Sequence, residues 1–215
     1  MYLLINSQYS TSMKTILCYG DSNTYGSNPG GGRWEYDKRW PGILSSLLGD
    51  GYYVIEEGLG GRTTVFDDPF EKGRNGKTFL PVALASHQPI DLLIISLGTN
   101  DTKRFFGSNE RIITRGIEAL ADVAKTFDVK QIMVISPIHV GERIEETVFA
   151  GFSRESVEIS CKLSERVKAM AERKGLIFFD AATVATPSEI DQLHMDAESH
   201  RNLAEALKEV IIRHL

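Results

Sequence analysis

Cysteine is almost missing from this chain, with two in 215 residues. Cys18 falls in an apolar run and Cys161 in a helical pattern, so both are expected as reduced thiols, not as part of a disulfide framework. Long apolar stretches are missing too. No window approaches the ~20 residues that a membrane-spanning helix needs. Tyr2-Leu3-Leu4-Ile5 is too short for the apolar part of a signal peptide, and no basic segment precedes it. A cytoplasmic location is the resulting expectation. Positive charge is in deficit: 24 Lys and Arg against 29 Asp and Glu give a net charge of −5. With no basic run to offset this, nucleic acid and anionic membrane surfaces are not expected as main partners. Internal repeats, low-complexity tracts and domain linkers are absent as well. His87, His139, His200 and His214 show no metal-ligand spacing and are read as non-catalytic.

What is present has an ordinary globular composition, 42% hydrophobic and 25% charged. Residues 13–215 fit one α/β domain. Residues 1–12 read as a disordered or loosely attached extension, with Met13-Lys14-Thr15 resembling a second start. Strands are expected at 14–20, 52–56, 91–97, 131–136 and 176–179. Each is an apolar run suited to a sheet covered on both faces. Helices are expected from Pro41 to Gly49, over 78–87, over 109–127, from a cap at Ser153 to Lys174, and over 197–213. Five alternations of strand and helix predict a parallel sheet with helices on both faces.

In such a sheet, the loops after the first three strands open on one edge, where ligands bind. Those loops are Gly20-Asp21-Ser22-Asn23, Gly58-Leu59-Gly60-Gly61-Arg62 and Gly98-Thr99-Asn100-Asp101. Near the C-terminus, Asp191-Gln192-Leu193-His194 precedes the last helix. Acyl transfer needs a nucleophile, a base, a group that orients the base and donors for the oxyanion. Ser22 offers the hydroxyl and His194 the base. Asp191, three residues earlier, can turn back to the imidazole and fix its tautomer. The backbone N–H groups of Ser22 and Gly61 and the side-chain amide of Asn100 can serve the oxyanion. Each feature also has a plainer reading: Ser22 as a helix N-cap, Asn100 and the glycines as turn residues. The competing class is a binding module that cradles a phosphate or sugar in the glycine loops.

The order of these four blocks resembles that of the SGNH (GDSL-type) hydrolases. Further strings are similar to the bacterial arylesterase and acyltransferase branch: Ile55-Glu56-Glu57-Gly58-Leu59, Gly61-Arg62-Thr63-Thr64, Asp67-Asp68-Pro69, Leu80-Pro81 and Leu97 to Lys103. The resemblance runs from about residue 14 to the end. It implies a flavodoxin-like three-layer α/β/α fold with a five-stranded parallel sheet. It implies a catalytic triad of Ser22, His194 and Asp191, an oxyanion hole from Ser22, Gly61 and Asn100, and no metal or organic cofactor. The substrates it implies are small-molecule esters with short acyl groups, including aryl, alkyl and acetylated-sugar esters. Carbohydrate acetyl esterase is therefore the alternative to aryl or alkyl esterase, and acyl transfer to an alcohol is a possible second activity. The branch commonly forms oligomers, so a homo-oligomer is expected, with the 26–37 loop and the 138–153 connection as candidate contacts. Asp21 and Asp101 match positions read as structural supports.

Three positions depart from the family pattern. Asn23 stands where leucine is usual and Tyr25 where tryptophan is common, which bears on acyl-pocket size and water access. Gly60 replaces a residue with a side chain, which points to a looser second loop. Arg62 is read as one half of a structural ion pair in preference to an acidic-substrate ligand. Trp40 is expected to pack, and Trp34 and Tyr36 either to pack or to wall a channel. Phe149 and Phe152 would mark an interface or a hydrophobic rim if exposed.

Overall fold

The computed structural model describes residues 13–215; the extension expected at 1–12 lies outside the described residues. Five strands form one parallel sheet: β1 (Lys14–Gly20), β2 (Tyr52–Gly58), β3 (Ile90–Ser96), β4 (Val129–Ser136) and β5 (Ile177–Asp180). Their order is β2-β1-β3-β4-β5, the flavodoxin-like order with its switch point between β1 and β3. Six α-helices accompany them: α1 (Ser22–Tyr25), α2 (Trp40–Leu48), α3 (Gly76–His87), α4 (Glu110–Ala124), α5 (Arg154–Lys174) and α6 (Ala197–His214).

Strand side chains alternate between faces, and that alternation separates two cores. Leu17, Tyr19, Leu93, Ile95, Ile132 and Val134 pack with α3, α4 and α5 on one face. Ile16, Cys18, Leu92, Ile94, Met133 and Ile135 pack with α2 and α6 on the other. β3 is buried along its whole length, which explains the apolar run from Leu92 to Ile95. Trp40 is buried in the second core, as expected of a packing residue. Cys18 is buried and Cys161 exposed, and both are free thiols.

Several element boundaries differ from expectation: β4 starts two residues early at Val129, α4 ends three residues early at Ala124, and two further shifts have a clear local cause. α3 starts two residues early because Asn75 caps it, its side-chain oxygen accepting from Thr78 N at 3.3 Å. β2 runs two residues further, to Gly58, because it stays paired with β1 to the end: Gly20 aligns with Gly58 on one side and with Ser96 on the other. The three strands therefore end level, and their following loops leave from one line.

Candidate active site

The turn after β1 is forced by two small residues. A Cβ on Gly20 would lie 2.0 Å from Thr24 Oγ1, and one on Gly58 would lie 2.1 Å from Tyr25 N. Only glycines let the single-turn helix α1 fold back onto the strand ends. Its N-cap is Asp21, whose Oδ1 accepts from Asn23 N at 3.0 Å. The capping role considered for Ser22 thus belongs to its neighbour. Burial pushes the Asp21 carboxyl up to about 6, against the Asn23 bond and the nearby His194 and Arg62.

The loop after β2 is a tight turn, closed by Arg62 N donating to Leu59 O at 3.1 Å. Gly61 takes its third position with φ +76, a conformation that favours glycine. A Cβ there would also meet Glu71 Oε2 at 2.8 Å, whereas one on Gly60 would meet nothing within 4 Å. Arg62 is buried and structural, but the expected ion pair is replaced by other contacts. Its Nη1 donates to Gly20 O at 2.9 Å and to Glu57 O, and its guanidinium lies 4.2 Å from the Tyr19 ring centroid. Carbonyl oxygens and a ring face hold the cation here.

After β3, Asn100 donates one amide hydrogen to Arg62 O at 3.1 Å, so the second and third loops brace each other. The other hydrogen of its NH₂ is left for a ligand. Asp101 is fully buried and accepts from Thr64 N at 3.0 Å and from Thr64 Oγ1. Burial pushes its carboxyl up to about 6 despite those bonds, with Asp21 adding to the rise. Both aspartates support the loops, in keeping with the structural reading.

The fourth block reaches the same edge from the far end of the chain. His194 Nδ1 lies 2.6 Å from Asp191 Oδ2, and Asp191 Oδ1 accepts from Leu193 N at 3.1 Å and His194 N at 2.9 Å. Burial works to raise the Asp191 pKa, but the bonds from His194 and the two amides outweigh it and hold the carboxyl below its ordinary value. An ionised Asp191 bonded at Nδ1 leaves Nε2 as the free nitrogen of the neutral imidazole. Gln192, between them, adopts φ +61. That left-handed bend is over-determined, with Gly141 N donating to Gln192 O at 2.7 Å and Arg143 N to its Oε1 at 3.2 Å.

Ser22, Gly61, Asn100 and His194 all line one cavity of about 470 Å³, within the usual size range of small-molecule sites. Asp191 stands behind His194. Tyr25, Leu59, Phe149 and Phe152 add apolar walls; Glu71, Arg74 and Lys103 add charge. His87, His139, His200 and His214 lie elsewhere. Burial lowers the pKa of His200 to about 4, and its Nδ1 accepts from Trp40 N at 3.2 Å.

Several residues do something other than expected. Phe152 is buried and Phe149 half-buried; Phe149 packs edge-on against His194, centroids 5.4 Å apart. The exposed rim considered for this pair is therefore a wall. Trp34 and Tyr36 do not line the cavity; Trp34 Nε1 instead donates to Met195 O at 3.3 Å. Asn23 does not shape the cavity either. Its carboxamide points to the segment around His194. Residue types alone carried no signal for these long-range contacts.

Residues 18–202 match the GDSL-like lipase/acylhydrolase family. The chain belongs to this family. It is therefore a carboxylic ester hydrolase, and the binding-module alternative falls. Est24, a carbohydrate acetylesterase from Sinorhizobium meliloti, is similar at 36% identity and TM-score 0.89, over 93% of this chain and 99% of that one. The native aryl esterase of M. smegmatis is similar at 35% identity and TM-score 0.87, over 94% of this chain and 100% of that one. No curated protein sequence matches the chain. Small-molecule esters are the substrates this family implies. Among the described residues, no helix is long and apolar enough to cross a membrane.

Proposed function

We propose that the chain hydrolyses short-chain acyl esters through a Ser22–His194–Asp191 triad and an acyl-enzyme. The observation that carries this reading is the 2.6 Å His194–Asp191 contact beside a cavity shared by Ser22, Gly61 and Asn100. His194 Nε2 takes the Ser22 proton as Oγ attacks the ester carbonyl. The negative charge on the carbonyl oxygen is held by the backbone N–H groups of Ser22 and Gly61 and the second hydrogen of the Asn100 amide. Imidazolium returns the proton to the departing alcohol. Water, deprotonated by the same imidazole, then releases the acid; a second alcohol in its place gives acyl transfer.

Aryl or alkyl acetates are the first substrate class. Acetylated sugars are the second, favoured by the similarity to a carbohydrate acetylesterase and by the charged Glu71, Arg74 and Lys103 on the cavity wall. A panel of p-nitrophenyl acetate, alkyl acetates and acetylated xylo-oligosaccharides, scored by acetate release, separates the two. Ser22→Ala should abolish turnover on every member; retained hydrolysis would remove the serine mechanism. The homo-oligomer belongs to this proposal as well. Phe70 and Val148, 78% and 90% exposed, and the partly exposed Phe105 flank residues of the cavity wall, and a second copy covering them would narrow its mouth. Sedimentation showing a monomer at micromolar concentration would contradict that part.

A further inference from the structure

Resting on the proposed mechanism, one requirement is that His194 be held at the right distance from Ser22. The two residues lie at opposite ends of the chain, and strand pairing fixes only one of them. Ser22 follows β1 directly. His194 lies between the short 3-10 helix Ala181–Thr183 and α6, outside every strand and helix. Its position therefore depends on how that segment is tied down.

The main-chain groups from Leu193 to Met195 can be counted in full. Leu193 N and His194 N donate to Asp191 Oδ1. His194 O accepts from Ser188 N at 2.8 Å. These ties are internal to the segment, as is the Asp191–His194 side-chain bond. The remaining three groups are bonded from outside. Leu193 O accepts from Asn23 Nδ2 at 3.3 Å, Met195 N donates to Asn23 Oδ1 at 2.9 Å, and Met195 O accepts from Trp34 Nε1 at 3.3 Å. Asn23 thus straddles His194, bonding the residue before it and the residue after it. Its backbone N–H donates to the Asp21 cap, and it is the residue next to Ser22.

We propose that Asn23 is a positioning residue. Its carboxamide sets the separation and register of the His194 segment against the Ser22 turn, while the Asp191–His194 pair is set within the segment itself. Asparagine suits the task because one short side chain carries both a donor and an acceptor. Leucine offers neither. Aspartate keeps the acceptor for Met195 N but sets an oxygen against Leu193 O. The side chain is buried away from the catalytic cavity, so its effect is expected on the chemical step and not on substrate binding.

The test compares wild type with Asn23→Leu and Asn23→Asp, well below the onset of unfolding. Three readouts are taken: kcat and KM on p-nitrophenyl acetate, the rate of Ser22 labelling by a fluorophosphonate, and the low-field NMR signal of the His194 Nδ1 proton. A displacement of about 1 Å can cost about 10²-fold in rate. The expected result is a loss of about 10- to 100-fold in both kcat and labelling rate, KM nearly unchanged, and the Nδ1 signal retained. Wild-type kcat with an altered KM would make Asn23 a pocket residue, and wild-type kcat with only a lower melting temperature would make it a fold residue; either overturns the proposal. Loss of the Nδ1 signal would overturn it too, because the pair would then depend on Asn23. Should Asn23→Leu fail to fold, the nearly isosteric Asn23→Asp carries the same comparison. A wild-type chain that shows no labelling at Ser22 overturns the serine mechanism first, and is distinguished by appearing before any Asn23 variant is compared.

Discussion

The two sides of the cavity, the proposed oxyanion side and the proposed acid–base side, are built in different ways. The oxyanion side is made of loops that leave β2 and β3 directly, and it is braced by buried polar contacts: Asn100 on Arg62 O, and Thr64 on Asp101. The acid–base side sits on a segment that is remote in sequence from the strand before it, since β5 ends at Asp180. It is tied down by contacts from distant parts of the chain: the side chains of Asn23 and Trp34, and the Gly141 and Arg143 amides that hold Gln192. Main chain fixed by strand pairing is preorganised at no further cost, whereas a strapped segment depends on each strap. Substitutions on the two sides should therefore fail differently.

The largest effect belongs to the acid–base side. Asp191→Asn keeps the shape of the side chain but removes the charge that selects the imidazole tautomer. In serine triads this substitution lowers kcat by about 10⁴. Folding should survive, since the asparagine oxygen still accepts from the Leu193 and His194 amides. Steady-state kinetics on p-nitrophenyl acetate check it, and a loss below about 10-fold would remove Asp191 from its assigned role.

On the oxyanion side, Asn100→Ala should lower kcat by about 10²–10³. KM should move little, because the donor acts on the charge that develops in the transition state. The deletion also leaves Arg62 O without its partner, so a moderate drop in melting temperature should accompany it. A variant that loses stability but keeps kcat would show that Asn100 only braces the loops.

How much of this was legible beforehand follows the same division. The apolar runs Ile16 to Tyr19 in β1 and Leu92 to Ile95 in β3 lead into Gly20-Asp21-Ser22 and Gly98-Thr99-Asn100-Asp101, so the loops proposed to hold the oxyanion could be placed by strand logic alone. Asp191 and His194 were legible because they are local, three residues apart. The straps were not. By residue type Asn23 is only an unusual neighbour of Ser22, which points to the acyl pocket. Its true partners, Leu193 O and Met195 N, are backbone atoms far away in sequence, which no residue type advertises. Arg62 is structural, as its sequence context suggests, but its partners are carbonyls in place of a carboxylate, and carbonyls leave no trace in a sequence. The cap on α1 was offered to Ser22, although Asp21 is as good a capping residue and lies one position earlier.

A pH comparison probes the floor beneath the oxyanion side. Asp101 has its folded pKa pushed up to about 6, above the ordinary 3.8. Between those values the folded chain binds more protons than the unfolded one, so this group's contribution to stability is lost as pH rises from about 4 to about 6. Asp191 acts in the opposite sense, since its depressed pKa gives stability that is lost in acid. Asp101→Asn removes the first contribution and leaves the second. Relative to wild type, the variant should therefore melt higher at pH 7.5 than at pH 4.5. Equal differences at the two pH values would show that Asp101 does not titrate in this range.

The smallest effect comes from neighbouring glycines in the turn after β2, and it tests whether that turn is preorganised by its backbone. Gly61 has φ +76, and an added Cβ would press on Glu71 Oε2. A side chain in the left-handed region costs about 1–2 kcal/mol, which for a chain of this size lowers Tm by roughly 2–8 °C. Gly60 has open space around its missing Cβ. Alanine there narrows the unfolded ensemble and should stabilise by about 0.4–1 kcal/mol. The loosening once expected from Gly60 then resides in the unfolded chain and not in the folded turn. Gly61→Ala should also lower kcat, because the strained N–H would leave its place beside the oxyanion, while Gly60→Ala should keep it. If both alanines shift Tm in the same direction, the turn is held by its Glu71–Arg74 neighbours and not by its own dihedral angles, and the contrast between a preorganised side and a strapped side fails at this loop.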